Sequence, residues 1–449
     1  MHRFPLPFCL ASVAAVALTA GCASDDRANA STPSARKRVA ATPRTPAKPA
    51  AKVATAPATK PATTAPAPTK QPAPVAAKPG GRDFVVEARA LYKATVCRGD
   101  APLPRQLKPR YHRRHCEFIN KRIARYKNKW LAKARPFFDK IDPANLGDTI
   151  VYPFGGGDLM TALAVFPKLR EVTTISLEPS GDPRAIDGIS QRNFERYWAK
   201  ARHHIASLLV ASHSRTIDMM EAMTHGKIPG AVIFDLVALA ICDMQPVSLR
   251  FFRVNEDGTL AYVTAAQIAA ADKAVADARG GRARRKARTA RKKLFANMEL
   301  QFRKPGGPVR VHRHIRENLG DRHLEKDPRV IKYLEAKGKV PMMTKAASYL
   351  LWYDSFSVIR NYLLNHMTWM VSDATGIPPN IARKHGFEQL TWGRFQTHIP
   401  TMGNPGQHTI NRFVALWKQN PRRPLRFPFG YAGGKSPGLY HLMVTRPKQ

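Results

Sequence analysis

The segment from Thr149 to Glu178 holds the residues of this chain best suited to binding a nucleotide. Three consecutive glycines separate an apolar run from a helical pattern, and Glu178 closes the next apolar run 23 positions after Gly155. Nucleotide-binding α/β folds need glycines for a tight turn, a helix N-terminus for the phosphates and an acidic residue about 20 positions later for the ribose. The candidate ligand-binding residues are therefore Gly155, Gly156, Gly157, Asp158 and Glu178.

Two details of this turn favour a structural role instead. The glycines are contiguous rather than spaced as GxGxxG, and the carboxylate of Asp158 falls where a bound anion would meet the helix. A methyltransferase tolerates other glycine spacings, but the apolar run before the glycines does not end in an acidic residue. In the structural interpretation, the glycines allow close packing of the helix on the sheet, and Asp158 caps that helix.

The elements that position this turn are predicted to be a strand, a helix and a second strand. The patterns place strands at Thr149–Phe154 and Val172–Leu177, with a helix at Asp158–Phe166 between them. A strand, helix and strand at this separation form a parallel crossover. The fold class is therefore expected to be α/β.

The remaining patterns add hairpins and flanking helices to this core. Further helices are predicted at Asp83–Cys97, Glu117–Lys140, Asn193–Met223 and Lys345–Met370. Antiparallel hairpins are predicted around Asp257–Gly258 and around Pro305–Gly307. The apolar run Gly230–Cys242 fits either a helix or a strand.

The folded part is expected to be one large domain, residues 82–449. Its parts are a basic helical region at 82–145, the α/β core at 146–264, a basic helical insertion at 265–295, and a hairpin, a long helix and loops at 296–449.

The first 22 residues have the form of a bacterial lipoprotein signal. A basic start at Arg3 precedes a short apolar run, and the segment Leu18–Cys22 resembles a lipobox, although Thr19 replaces the usual leucine. The alternative is an ordinary cleaved signal with an incidental cysteine. We expect Cys22 to be lipidated, and Ala23 with Ser24 favours the outer membrane, facing the periplasm or the cell surface.

Residues 23–81 are predicted to be a disordered tether. The segment is rich in Ala, Pro, Thr and Lys, and its apolar surface is too small to offset the conformational entropy of folding. Its basic residues either keep a solvated linker extended or attract it loosely to anionic head groups.

The strongly basic composition does not by itself identify a partner. The formal net charge is +41, which in many proteins indicates nucleic acid. An exported lipoprotein instead meets lipid phosphates and acidic envelope polymers. We therefore expect the membrane, anionic polymers or head groups as partners, and no specific nucleic acid.

The cysteines predict one disulfide and no metal site. Cys97 and Cys116 flank a Pro- and Arg-rich loop, and disulfides persist in an exported protein. Cys242 lies among apolar residues and is expected to be a buried free thiol. Paired Cys or His spacings of the zinc type are absent from the sequence. We expect neither a metal nor a cofactor.

A dense basic cluster lies within Ala265–Phe295. Alanine and lysine favour helix, and Gly280 with Gly281 divides the segment into two halves, which predicts a helical hairpin. Such a cluster binds polyanions through counterion release. The alternatives are docking on phosphate-rich envelope surfaces and a solvated insertion without a partner. The candidate polyanion-binding residues are Arg282, Arg284, Arg285, Lys286, Arg288, Arg291, Lys292 and Lys293.

Other candidate catalytic residues lack a recognisable context. His203 with His204, His312 with His314, and the segment Ser212–Ser214 have no GxSxG elbow. We expect packed or surface roles for them. Asp354, Arg360 and Asp373 are expected to form an ion-pair network with Lys345 rather than a catalytic pair of carboxylates.

Three blocks of sequence resemble a family of uncharacterised bacterial exported proteins. The first runs YPFGGGD at Tyr152–Asp158, with FP at Phe166–Pro167 and LEPSG at Leu177–Gly181. The later blocks are KAASYL at Lys345–Leu350, IR at Ile359–Arg360, and the positions Asp373, Thr375, Gly376, Ile377 and Pro378. The likeness spans Leu146–Tyr431 and implies one integrated domain, and it brings no activity, cofactor or catalytic residue with it. The chain departs from it at Ala265–Lys293.

The sequence thus favours a membrane-anchored envelope lipoprotein with a binding or organisational role at anionic surfaces. The alternative is an extracytoplasmic enzyme with a Rossmann-like cleft at the glycine-rich turn.

Overall fold

A computed structural model describes residues 80–142, 145–211, 228–373, 375–395, 407–430 and 440–448. Cys22 and residues 23–79 lie outside these ranges. The strands of the described residues are, in chain order, β1 Thr149–Pro153, β2 Glu171–Ser176, β3 Gln245–Val254, β4 Leu260–Tyr262, β5 Asn297–Arg303, β6 Arg310–Arg316, β7 Val340–Thr344, β8 Met367–Ser372, β9 Phe387–Gly393 and β10 His441–Pro447.

These strands form one mixed sheet in the order β4-β3-β5-β6-β2-β1-β7-β8-β10-β9. The central strands β6, β2, β1, β7 and β8 are parallel to one another. Antiparallel strands extend the sheet at both edges. From β1 the chain builds outward first through β2 and β6, then through β7 and β8 on the other side. The strand order therefore reverses at β1, the place where open α/β sheets bind ligands.

Helices cover the sheet, and the α/β fold class is confirmed. The helices of the described residues are α1 Val85–Val96, α2 Pro109–Tyr126, α3 Ala132–Ile141, α4 Leu159–Val165, α5 Gln191–Ala211, α6 Gly230–Ile241, α7 Ala265–Asp277, α8 Gly281–Leu294, α9 Asp321–Leu324, α10 Arg329–Glu335, α11 Ser357–His366, α12 Pro379–Lys384 and α13 Gln407–Gln419. A π-helical turn, Lys127–Leu131, joins α2 to α3, and 3-10 turns occur at Pro183–Gly188, Ala347–Trp352 and Asp354–Phe356.

Each face of the sheet packs on a separate apolar cluster. In β1, Ile150 and Tyr152 point into the cluster that contains α4 and α6, while Val151 points into the cluster beneath α10 and α11. Successive side chains of a strand point to opposite faces of the sheet, so β1 is buried on both faces. The ambiguous run Gly230–Cys242 is the helix α6, and all of its residues are buried, which explains why it is apolar all round.

The helix predicted at Lys345–Met370 is wrong. The chain leaves β7 at Thr344, forms two 3-10 turns, and becomes α-helical only at Ser357–His366 before it enters β8. Ala346 has φ 62° and ψ −88°, a backbone conformation that a right-handed helix cannot contain. Met367–Ser372 is a run of six, largely buried residues, and such a short run is compatible with a buried strand.

The other predicted elements differ from the observed ones mainly in the residues at which they begin and end. Helix α2 begins at Pro109, earlier than predicted, with proline at a position whose N–H needs no helical partner. The hairpins β3–β4 and β5–β6 are confirmed as antiparallel pairs. Helix α5 is described up to Ala211, and residues 212–227 lie outside the described ranges.

A disulfide joins Cys97 to Cys116, as the sequence predicts, with their Cα atoms 5.6 Å apart. It links the end of α1 to the middle of α2. Cys242 is a free thiol, but it is half-buried rather than fully buried. Among the described residues, no helix has the length and apolar character required to cross a membrane.

Candidate functional site

The turn between β1 and α4 is shaped by packing. A Cβ atom on Gly155 would lie 2.8 Å from the ring and the carbonyl oxygen of Tyr152, so only glycine fits there. Gly156 has φ 52°, which glycine adopts without strain. Residues Gly155–Gly157 are all buried. The geometry of the turn agrees with the structural role considered for its glycines.

Asp158 occupies the N-cap position of α4, but its side chain does not cap the helix. Its Oδ2 accepts a hydrogen bond from the hydroxyl of Tyr152 at 2.9 Å, and its Oδ1 accepts one from Thr161 at 2.8 Å. Its Oδ2 also lies 2.6 Å from Nζ of Lys345. The expected cap is therefore wrong, because a buried carboxylate gains more from a cation and two hydroxyls than from a backbone N–H.

Lys345 is the cation of this site, and it follows β7 directly. Its side chain is 1% exposed, and Nζ also donates a hydrogen bond to Thr161 Oγ1 at 2.6 Å. The ring centroid of Phe429 lies 5.5 Å from Nζ. Burial lowers the pKa of Lys345, while the carboxylates of Asp158 and Asp373 oppose that shift.

Asp373 fixes the loop that carries Lys345. At the end of β8, its Oδ2 accepts a hydrogen bond from the backbone N–H of Ala346 at 2.9 Å. Its Oδ1 accepts one from Ser348 at 2.9 Å and another from the N–H of Thr375 at 3.1 Å. These donors hold the Asp373 carboxylate between the loop that carries Lys345 and the backbone at Thr375.

The sequence blocks YPFGGGD, KAASYL and the one beginning at Asp373 thus meet at one place. We call Tyr152, Asp158, Thr161, Lys345 and Asp373 the buried charge cluster. It lies at the carboxyl ends of β1, β7 and β8, where the strand order reverses. We expected a buried network of Asp354, Arg360 and Asp373 with Lys345. The pair of Arg360 and Asp354 is present at 3.3 Å, but Asp354 is fully exposed rather than buried. Lys345 pairs with Asp158, which was not predicted.

The buried charge cluster does not fit a bound dinucleotide. Lys345, the cation that a phosphate bound at this turn would contact, is already paired with Asp158. Helix α4 has seven residues, all buried, and its first turn faces a carboxylate rather than an open anion site.

Glu178 is also buried, but it is not part of the hydrogen-bonded cluster. It is 1% exposed, and no hydrogen bond or ion pair of the described residues joins it to Asp158. Its Oε2 is buried without a hydrogen-bond partner. A joint role of Glu178 and the glycine-rich turn in binding a ligand therefore stays a prediction.

The histidines of β6 belong to a buried chain of polar side chains, as expected for packed histidines. Thr174 Oγ1 shares hydrogen bonds with His312 Nε2 at 2.8 Å and with His314 Nδ1 at 3.1 Å. Asp235 Oδ2 lies 3.2 Å from His312 Nδ1, and His314 Nε2 bonds the backbone oxygen of Glu178 at 2.8 Å. Burial lowers the pKa of His314.

Two further predicted groups can be placed. His203 is exposed and His204 is buried on α5, while Ser212–Ser214 lies outside the described residues. His112 joins Cys97 and Cys116 in a group whose ligand atoms lie within 4.8 Å of one another, but both sulfurs are in the disulfide. That group therefore offers no thiolate to a metal.

The basic segment forms the predicted hairpin of helices α7 and α8, with Gly280 at its tip. Thr264 and Gln267 make a capping box at the start of α7, and Ile268 and Leu294 are buried at the base of the hairpin. Seven of its eight candidate residues are exposed, and no described carboxylate pairs with them. They are Arg282, Arg284, Arg285, Lys286, Arg288, Lys292 and Lys293. We call these seven residues the basic face.

Arg291 differs from the basic face because it points towards the protein. Its Nη2 donates to Asp182 Oδ2 at 2.5 Å, and its Nε donates to Asp272 Oδ1 at 2.5 Å. Arg184 binds the same two carboxylates at 2.9 and 3.0 Å. Arg291 thus holds α8 to α7 and to the loop after β2.

The chain enters the described region beside the base of this hairpin. The N–H of Arg82 donates to the backbone oxygen of Val263 at 3.0 Å, two residues before α7 begins. A Cβ on Gly81 would lie 2.7 Å from Cβ of Tyr262. The predicted tether therefore joins the fold next to the basic hairpin.

The sequence did not reveal the pairing of Asp158 with Lys345. One feature of the sequence could have indicated that Lys345 is buried. It directly follows the apolar run Val340–Thr344, which forms a fully buried strand. No protein-family model, curated protein or solved structure matches this chain.

Proposed function

We propose that this protein is a lipid-anchored component of the bacterial envelope that docks on anionic membrane surfaces through the basic face of α8. The single observation that carries the proposal is that seven exposed cations share one helix and have no described acidic partner. In this proposal Cys22 carries the lipid, residues 23–81 form the tether, and the outer membrane is the favoured location.

Electrostatic repulsion within α8 supports a role for an external anion. Like charges four residues apart destabilise a helix by about 0.2–0.5 kcal/mol per pair. Such pairs in α8 are Arg282 with Lys286, Arg284 with Arg288, and Arg288 with Lys292. An anionic surface relieves this repulsion, and each Lys or Arg near such a surface contributes about 1 kcal/mol of binding.

The contact is expected to be electrostatic rather than inserted. The large exposed apolar side chains among the described residues are Val86, Leu177 and Val309, and none of them lies on α7 or α8. Binding without apolar insertion weakens steeply as salt rises. The entry of the chain beside the hairpin suits docking on the same membrane that carries the lipid.

The test uses the chain with Cys22→Ala, so that no lipid anchors it. The seven residues of the basic face are replaced by Gln, and both proteins are mixed with anionic vesicles, neutral vesicles and duplex DNA at two salt concentrations. We expect the parent to bind anionic vesicles in low salt and the Gln variant to lose most of this binding. Equal binding by both proteins would remove α8 from the function. Tighter binding to DNA than to anionic vesicles would also contradict the proposal.

The lipid anchor has its own test. A fatty-acid label should enter the parent chain and not the Cys22→Ala variant. A label that persists in the variant would place the lipid elsewhere.

The alternative function, an extracytoplasmic enzyme at the glycine-rich turn, has less support. Lys345 and Asp158 are paired with each other at the carboxyl end of β1, and no described hydrogen bond or ion pair joins Glu178 to Asp158.

A further inference from the structure

The buried charge cluster holds an amine and a carboxylate where they can condense. Nζ of Lys345 lies 2.6 Å from Oδ2 of Asp158, and the two side chains are 1% and 2% exposed. We propose that Lys345 and Asp158 form an intramolecular amide in the mature protein. This bond would join the end of β7 to the turn after β1.

Burial favours the reactive, neutral amine form of Lys345. An ion pair removed from water loses the hydration of both charges, which raises its free energy relative to a neutral amine and a neutral acid. Transfer of one proton from Lys345 to Oδ1 of Asp158, through the Thr161 hydroxyl, produces that neutral pair and makes Oδ1 the hydroxyl that later departs. Burial lowers the pKa of Lys345, which acts in the same direction.

Two hydroxyl groups prepare the carboxyl group for attack. Tyr152 donates to Oδ2 of Asp158 at 2.9 Å, and Thr161 donates to Oδ1 at 2.8 Å. Donors on these oxygens stabilise the negative charge that develops there as nitrogen attacks Cγ. The Thr161 hydroxyl also accepts a hydrogen bond from Nζ of Lys345 at 2.6 Å. Thr161 therefore bridges the attacking nitrogen and one carboxyl oxygen.

The reaction is a condensation that needs no other reagent. The Nζ–Cγ bond forms, the bond from Cγ to Oδ1 breaks, and the nitrogen gives up one proton. That proton passes through the Thr161 hydroxyl to the departing hydroxyl group, which leaves as water. Oriented groups held this close react as if their concentration were very high, and exclusion of water disfavours hydrolysis of the product.

A second buried lysine offers a matched internal control. Lys337 pairs with Glu171, but Glu171 is 20% exposed and also binds Arg313 at 2.7 Å. Two cations hold this carboxylate ionised, and water reaches it. We therefore expect Lys337 and Glu171 to remain an ion pair.

The test is peptide mass spectrometry of the full mature chain after denaturation and digestion with trypsin. An amide blocks cleavage at Lys345, so residues 141–168 and 340–360 should appear as one branched peptide that lacks the mass of one water. Fragmentation should place the branch between Asp158 and Lys345. Unmodified peptides 141–168 and 340–345 in folded parent protein would overturn the proposal without any variant.

Two variants sharpen the result. Asp158→Asn should give the same branched peptide by loss of ammonia, because an amide carbon accepts the same nucleophile. Lys345→Arg should give no branched peptide. A branched peptide that persists in Lys345→Arg, or one that joins Lys337 to Glu171, would show condensation unrelated to the cluster geometry and would also contradict the proposal.

Discussion

Arg291 Nη2 donates a hydrogen bond to Asp182 Oδ2 at 2.5 Å, and this contact ties the basic helix α8 to the loop after β2. Asp182 is buried, whereas the cations of the basic face are exposed. One arginine of the basic cluster therefore positions the helix, and the other seven residues are available to a partner.

Replacing Arg291 with Gln should loosen the hairpin while the sheet stays folded. Asp182 and Asp272 keep Arg184 as a partner, so the cost should be about 1–2 kcal/mol and local. Hydrogen exchange should accelerate in α7 and α8 and remain unchanged in β1 and β7. Arg288→Gln, on the exposed side, is the matched control. Unchanged exchange in Arg291→Gln would contradict the positioning role.

Removing the carboxylate of Asp158 should destabilise the whole domain. Asp158→Ala leaves Lys345 buried without its nearest carboxylate and without the proposed amide, and an unpaired buried cation alone costs about 3–5 kcal/mol. Urea unfolding measures the loss. Asp354→Ala removes an exposed partner of Arg360 and should cost far less, because solvent screens this pair. Similar losses in both variants would contradict the burial of the cluster.

Removing the disulfide should lower the free energy of unfolding. The bond closes a sequence separation of 19, for which the chain-entropy model gives about 3 kcal/mol. The double variant Cys97→Ala, Cys116→Ala should unfold at lower urea than the parent. Addition of a reductant should destabilise the parent and leave the double variant unchanged. A reductant effect on the double variant would indicate that another bond matters.

The contribution of His115 to the free energy of unfolding should fall as pH drops from about 6.5 towards 4. Burial lowers the pKa of His115 to about 4, although the carbonyl of Thr95 at 2.8 Å partly opposes this shift. The unfolded chain then binds the proton more readily than the folded chain in this window, so acid favours unfolding. Over the full window the loss is about 3 kcal/mol. His115→Gln should flatten the pH dependence, and His385→Gln, on the surface, should not. Equal pH profiles for the parent and His115→Gln would contradict this assignment.

The sequence predicted the local elements better than the contacts between distant segments. The hairpin of α7 and α8 follows from alanine, lysine and two glycines within about 30 residues, so it could be predicted. The segment Lys345–Met370 could not be assigned correctly, because short apolar runs fit both helix and strand. The segment is divided into 3-10 turns, a helix and a strand because Ala346 has a positive φ and because β8 pairs with β7.

The site depends on contacts that no local pattern contains. Asp158 and Lys345 meet only because β1 and β7 are neighbours in the sheet. Arg291 is indistinguishable from its neighbours in sequence, and only the positions of Asp182 and Asp272 turn it inward. The exposure of the other seven cations needed no such information, because a short helical insertion buries few of its residues.

The most direct test of the account compares two variants of equal net charge in the Cys22→Ala chain. One replaces the seven residues of the basic face with Gln. The other replaces seven exposed basic residues of α2 and α3, including the turn between them: Arg110, Arg113, Arg114, Lys121, Arg125, Lys129 and Lys133.

The measurement is the dissociation constant for anionic vesicles in low salt and in physiological salt. We expect the basic-face variant to bind about tenfold or more weakly than the parent, while the α2–α3 variant stays within about threefold. Binding of the basic-face variant to anionic vesicles should also depend less steeply on salt than binding of the parent, because fewer counterions are released. Equal weakening in the two variants would show that total charge, rather than the basic face of α8, governs binding, and would contradict the account.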